Sequence, residues 1–160
     1  MSGYYNTAQI CLNGHTINPR YDKYPQSNQD YCDKCGKSTI TKCPHCDTNI
    51  KGKYDSPNFS DLSTFKVPDF CFSCGKAYPW TEIRMAAVKE LADEIENLDE
   101  SEKEQLKGSI KELIMEGPKT SLAISRYKKL MGKAGKFAYE EMKTLIVEIV
   151  SSTVKKSLFD

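Results

Sequence analysis

Hydrophobic and polar positions follow two different rhythms along the chain, and the change falls near Trp80. Up to that point apolar residues come in short runs bounded by Gly, Pro, Asn and Asp, a pattern that predicts turns and short hairpins with no amphipathic helix. Beyond it they recur every three or four residues. Ile83, Ala87, Leu91, Ile95 and Leu98 form one stripe on a helix with Thr81 as its N-cap and its end near Asn97. Asp99 followed by Glu102 has the spacing of a capping box, opening a second helix that carries Leu106, Ile110, Leu113 and Ile114 until Gly117-Pro118 stops it. Thr120 or Ser121 caps a third, with Ala123, Tyr127, Leu130 and Met131 on one side and a break signalled by Gly132 and Gly135. Ala138, Met142, Leu145 and Ile149 then make the stripe of a last, longer helix ending near Leu158. A small four-helix assembly is the expected product. Leu145, Ile146, Ile149, Val150 and Val154 surround more than half of that last helix, so a homodimer through it is the expected cover.

Composition sharpens the division. A chain of 160 residues has room for one medium domain or two small ones. All seven cysteines, both histidines and most aromatics and prolines precede Thr81, whereas the first Glu is Glu82. The expected domains are therefore 1–79, poor in aliphatic residues, and 80–160, α-helical. No basic stretch followed by an apolar run opens the sequence, and nothing approaches the ~18 consecutive apolar residues of a membrane span. A cytoplasmic protein without membrane contact is expected. In a reducing compartment seven cysteines do not suggest disulfides, and an odd number pairs badly.

The cysteines instead fall into ligand pairs: Cys11-Leu-Asn-Gly-His15, Cys32-Asp-Lys-Cys35-Gly36, Cys43-Pro-His-Cys46 and Cys71-Phe-Ser-Cys74-Gly75. Four pairs provide the donors of two closed tetrahedral sites, with no cysteine left over. Zinc suits them because a d¹⁰ ion imposes no ligand-field geometry and accepts both thiolate and imidazole. In the two Cys-x-x-Cys-Gly pairs the tight turn aims both sulfurs at one point, and the following Gly tolerates positive φ. Sequential, nested and cross-brace arrangements use the same eight residues. Separations of sixteen residues between His15 and Cys32 and twenty-four between Cys46 and Cys71 suit ribbon strands, while the seven between Cys35 and Cys43 suit a linker. Sequential pairing is favoured, with Cys11, His15, Cys32 and Cys35 in one site and Cys43, Cys46, Cys71 and Cys74 in the other. His45, inside a two-residue knuckle, reads as an exposed bystander.

Cys-x-x-Gly-His, Cys-x-x-Cys-Gly, Cys-Pro-x-Cys and Phe-Cys-x-x-Cys-Gly-Lys-x-Tyr-Pro-Trp, in that order, resemble a bacterial family of small double-zinc-ribbon proteins catalogued as a domain of unknown function. The resemblance extends through the helical tail and covers all eight donors. It implies a small α+β metal-binding fold, with tandem zinc ribbons followed by a C-terminal α-helical bundle, and two zinc ions. It implies no activity.

Catalytic readings find little support. A catalytic zinc keeps an open coordination position, whereas both sites here are closed. The deaminase signature needs a His-x-Glu, and no Glu precedes Glu82. Phosphate-loop, metalloprotease and nucleophile-elbow motifs are missing from the sequence. A rubredoxin-like iron centre at the Cys₄ set, carrying electrons, is the sharper competitor. The favoured reading is a non-enzymatic adaptor with structural zinc and a protein partner. Nucleic acid is the alternative. Aromatics interleaved with lysine, Tyr21-Asp-Lys-Tyr24 and Lys51-Gly-Lys-Tyr54, can stack bases beside phosphates. Phe70, Phe72, Tyr78 and Trp80 are expected instead to pack around the second ion and against the first helix. Residues 119–136 hold six bases (Lys119, Arg126, Lys128, Lys129, Lys133, Lys136) and no acid, against nine acids and three bases in 82–104. Opposite blocks either attract each other within the bundle or leave a basic face for an acidic partner. Overall charge, 23 Lys+Arg against 22 Asp+Glu, favours neither nucleic acid nor membrane.

Overall fold

The computed structural model describes residues 2–59 and 61–160. Its contacts divide the chain into two compact units, Met1–Ile83 and Arg84–Asp160. The fold is small α+β, with short antiparallel sheets before a run of helices.

In the first unit, β1 (Tyr4–Thr7) pairs with β5 (Lys51–Asp55), and β2 (Gln9–Cys11) lies between β3 (Thr16–Asn18) and β4 (Thr39–Ile40). Tyr5 stands opposite Tyr54, and Ile10 opposite Ile40. The strands are too short to enclose an aliphatic core. Its place is taken by a cluster of Ala8, Ile10, Cys43, Ile50, Cys71, Tyr78 and Trp80, edged by Ile40, Phe65 and Val67. Tyr78 and Trp80 stack at 4.8 Å, and the indole N–H donates to Pro68 O at 2.9 Å, satisfying the one polar atom that Trp80 buries.

Polar side chains complete this interior by bonding to backbone. Asn6 Nδ2 donates to Lys53 O and to Asp55 Oδ2, tying β1 to β5, while Gln9 Nε2 donates to Gln29 O and its Oε1 accepts from Gln29 N–H. Arg20 and Lys23 reach Asp55 at 3.0 and 3.1 Å. Asn6 first, with Lys23 and Arg20 behind it, holds the Asp55 carboxyl down to about 2. Gly52 lets three backbone segments meet: a Cβ there would lie 2.3 Å from Pro19 O and 2.8 Å from Asn6 O.

The second unit contains most of α1 (Pro79–Glu94) and all of α2 (Glu100–Met115), α3 (Thr120–Ala134), α4 (Lys136–Ile146) and α5 (Ser152–Phe159). The Asp99–Glu102 capping box forms as its spacing predicts, and the expected stripes of α2 and α3 are buried. Three local expectations are corrected. The helix expected from Thr81 starts at Pro79, and the Thr81 hydroxyl donates to Asp69 O rather than capping. Along α1 the buried positions in the helical unit are Val88 and Ala92, continuing beyond it to Ile95 and Leu98, while Ile83 is 54% exposed. That is one residue, or about 100° of helix, away from the expected Ala87–Leu91 line. Thr120 is the first residue of α3, and its hydroxyl accepts from Gly117 N–H.

The expected single long last helix is two helices. Ile149 and Val150 N–H both bond back to Ile146 O, and Ser151 caps α5 through Val154 N–H. At 100° per residue, Ile146, Ile149, Val150, Val154 and Leu158 would sweep about 180° of a continuous helix. Interrupting the helix brings all five inward, and all are buried within the chain. Of the five residues expected to surround the last helix, Ile146, Ile149, Val150 and Val154 are buried and Leu145 is half-buried. No helix among the described residues is long and apolar enough to cross a membrane.

Candidate metal centres

Each donor pair sits on the same local device. In the knuckle at Cys32, the Cys32 N–H donates to Lys37 O and Gly36 N–H returns to Cys32 O, both at 2.8 Å, with Gly36 at φ +74°. Cys71 repeats this with Lys76 and Gly75 at φ +75°. Cys43 does so with Thr48 and Asp47, at 2.8 and 2.9 Å. Asp47 carries φ +65°, so the third knuckle uses the left-handed conformation without a glycine. The first pair lies in the β2–β3 hairpin, where Gly14, at φ +90°, donates to Cys11 O, and His15 N–H reaches Cys11 Sγ at 3.3 Å. These backbone bonds hold each turn so that its two donors lie on one side.

The knuckles meet in sequential pairs. Cys11, His15, Cys32 and Cys35 form one group and Cys43, Cys46, Cys71 and Cys74 the other, with all donor atoms of a group within 4.8 Å of one another. Cys11 Sγ lies 3.7 Å from Cys35 Sγ, and His15 Nδ1 lies 3.5 Å from both Cys11 Sγ and Cys32 Sγ. In the second group, Cys43 to Cys74 is 3.8 Å and Cys46 to Cys71 is 3.7 Å. A tetrahedral ion with bonds of about 2.3 Å to sulfur and about 2.0–2.1 Å to nitrogen has S···S edges of about 3.8 Å and S···N edges of about 3.5 Å. The donor sets have those edges, and they are far too long for disulfides at about 2.05 Å. His15 turns Nδ1 to its group.

The electrostatics differ between the knuckles: the outward Cys35 and Cys46 are lowered, whereas at the last knuckle the buried Cys71 is lowered and the outward Cys74, despite the Lys76 N–H that lowers it, is raised to about 11 by burial and by the Cys46, Cys43 and Cys71 thiols. The Cys71 thiol is pulled down to about 6 by the N–H groups of Cys74 and Ser73, against the opposing effect of burial. Lys37 N–H lowers Cys35, and the Thr48 hydroxyl and N–H lower Cys46. Burial raises Cys11. Cys11, Cys32, Cys43 and Cys71 are buried, while Cys35, Cys46 and Cys74 face outward. Tyr78 lies against Cys71, and burial first, with that thiol second, pushes its hydroxyl pKa up.

The remaining candidates separate. His45 stays out of both donor groups and faces Glu82, Nε2 to Oε1 3.6 Å. Tyr78 and Trp80 pack as expected, but Phe72 is 61% exposed. That corrects its expected packing around the second ion, because the residue after the first cysteine of a knuckle points away from the donors. Of the six bases in 119–136, Lys133 pairs with Glu102 at 2.6 Å, and the other five make no ion pair among the described residues. Sequence reasoning missed Asp47, whose left-handed role could have been read by aligning it with Gly36 and Gly75. It also missed the placement of Lys51, which lies over the rings of both Tyr5 and Phe72. No sequence signal marked that contact.

The family model described as "uncharacterized protein conserved in bacteria (DUF2321)" matches residues 4–158, and the chain belongs to that family. No curated protein and no solved structure matches the chain.

Proposed function

We propose that the protein is a non-enzymatic binding module in which two zinc ions, one in the Cys₃His group and one in the Cys₄ group, hold a small ribbon unit in shape for another macromolecule. The observation that carries this reading is the closure of both donor sets. Each has four donors at tetrahedral edge lengths, which leaves no coordination position for a substrate or an activated water. At the Cys₃His set zinc is preferred over iron because an imidazole nitrogen is not used by a rubredoxin-type centre; the Cys₄ donors suit either metal, and zinc is proposed there as the same ion as its neighbour. A reducing cytoplasm fits seven thiols without disulfides. The basic 119–136 segment supports nucleic acid as a second reading, since five of its bases remain free of ion pairs among the described residues.

Elemental analysis of protein grown in balanced metal tests the first reading. Two zinc per chain is the expected result, while one per chain, or a coloured iron-loaded protein, overturns it.

A further inference from the structure

In the first unit, aromatic rings and lysines that do not contribute to the core gather on one exposed surface. Tyr5 and Tyr54 face each other across β1 and β5 with ring centroids 5.0 Å apart. Lys51 Nζ lies 4.7 Å from the Tyr5 centroid and 4.4 Å from that of Phe72, which projects from the knuckle between Cys71 and Cys74. Tyr5 is 57% and Phe72 61% exposed, and neither belongs to the buried cluster. Beside them runs a groove of about 330 Å³ lined by Tyr5, Tyr54, Lys51, Lys53, Lys66 and Asp61, among others. None of the three lysines is in an ion pair among the described residues, and Lys53 Nζ donates only to a backbone carbonyl, Asp61 O.

We propose that this groove binds a single strand of nucleic acid, with bases stacked on Tyr5 and Phe72 and phosphates passing Lys51, Lys53 and Lys66. The inference rests on reading the ribbon unit as a binding module, and it gives that module a partner. Aromatic rings alone would suit a proline-rich peptide. Three lysines against one carboxylate select a polyanion. Among polyanions, a single strand offers unstacked base faces to exposed rings, whereas a duplex keeps its bases inside. Lys51, already held between two rings, is placed where a phosphate between successive stacked bases would meet it. Net charge does not oppose this. Two dipositive ions and seven thiolates leave residues 1–79 at about −1, but the groove itself is locally positive.

The test uses the metal-loaded full chain and labelled oligo(dT) and oligo(rU) of about 12 nucleotides, a length within the reach of small single-strand-binding folds. Fluorescence anisotropy at low salt should show binding that weakens as salt is raised. Phe72→Ser and Lys51→Glu should each weaken it about tenfold, Tyr5→Ser similarly, and Phe72→Tyr should retain it. Metal content and Trp80 emission confirm that each variant is folded. If Tyr5→Ser disturbs either, Phe72→Ser and Lys51→Glu decide.

No binding by the wild type overturns the proposal. So does equal affinity for a duplex of the same length, or equally effective displacement by oligoglutamate. Loss of binding in Lys128→Glu/Lys129→Glu with none in Lys51→Glu also overturns it, by moving the interface to α3. A chain that retains two metal ions but binds no strand loses only the groove. A chain with fewer than two ions loses the reading beneath it.

Discussion

Replacing Gly52 by Ala adds one methyl group at the point where β5 passes closest to its neighbours. The new Cβ would lie 2.3 Å from Pro19 O, 2.8 Å from Asn6 O and 3.0 Å from Ala8 N, all backbone atoms that cannot rotate aside. Ordinary contact requires about 3.4 Å or more, so the Pro19 segment must retreat by about 1 Å. That movement breaks the Lys53 N–H to Pro19 O bond, now 2.9 Å. Overpacking of this kind costs about 1–3 kcal/mol, and a lost hydrogen bond adds about 1 kcal/mol. A total near 3 kcal/mol is expected. Because metal binds the folded unit, the loss appears in the metal equilibrium, where 1.4 kcal/mol is a factor of ten. The product of the two metal affinities should fall by about a hundredfold in competition against a chromophoric chelator, with an unchanged metal count at saturation. A Gly52→Ala protein within threefold of wild type would refute both the close approach and the coupling of metal binding to the ribbon fold.

Chelation should shift Trp80 emission to the red, because the chain's one tryptophan is 1% exposed in a cluster that includes the donors Cys43 and Cys71. Unchanged emission would mean that the cluster persists without metal. Gly75→Ala should lower the thermal midpoint of the metal-loaded form by about 1–2 kcal/mol of stability, since its φ is +75° and its surroundings are open, so the cost is purely backbone. Asp47→Gly should move the same midpoint by less than about 1 kcal/mol, because it relieves a left-handed residue but adds unfolded-state entropy. Tyr127→Phe should leave the helical unit as stable or raise it by about 1 kcal/mol, measured by circular dichroism melting, because the buried Tyr127 hydroxyl has no hydrogen-bond partner among the described residues. Marked destabilisation would point to a partner for that hydroxyl.

Features decided within a few residues were legible in the sequence. Donor spacing, glycine after a knuckle and the Asp99–Glu102 box depend on local turns, and each reappears in the structure. Features decided by packing were not. The face that α1 buries, Val88 and Ala92, lies about 100° from the line its spacing suggested. Periodicity alone cannot fix that phase. The break between α4 and α5 has no Gly or Pro to announce it, although the β-branched Ile146, Val147, Ile149 and Val150 weaken helix propensity there and Ser151 is a competent cap. The meeting of Lys51 with Tyr5 and Phe72 joins three distant stretches of chain and left no trace in spacing.

The two units solve the problem of burial in different ways, and the difference bears on function. The helical unit closes on aliphatic side chains, with Leu106, Leu113, Met131, Met142 and Ile146 fully buried. The ribbon unit buries Asn6, Gln9 and Asn18, and two members of its main cluster are donors. In such a unit a metal bound by those donors would take over work that a larger domain assigns to hydrophobic packing. Side chains are thereby released from the interior, as Tyr5 and Phe72 are. Phe72 shows the consequence most clearly: it stands between the donors Cys71 and Cys74, and Lys51 lies over its ring, so the ring has a neighbour without joining the buried cluster. A ring already in contact with Lys51 would lose less rotamer freedom on stacking against the proposed strand, which would lower the entropic cost of binding. The metal-donor pattern and the exposed aromatic surface are therefore two aspects of one construction.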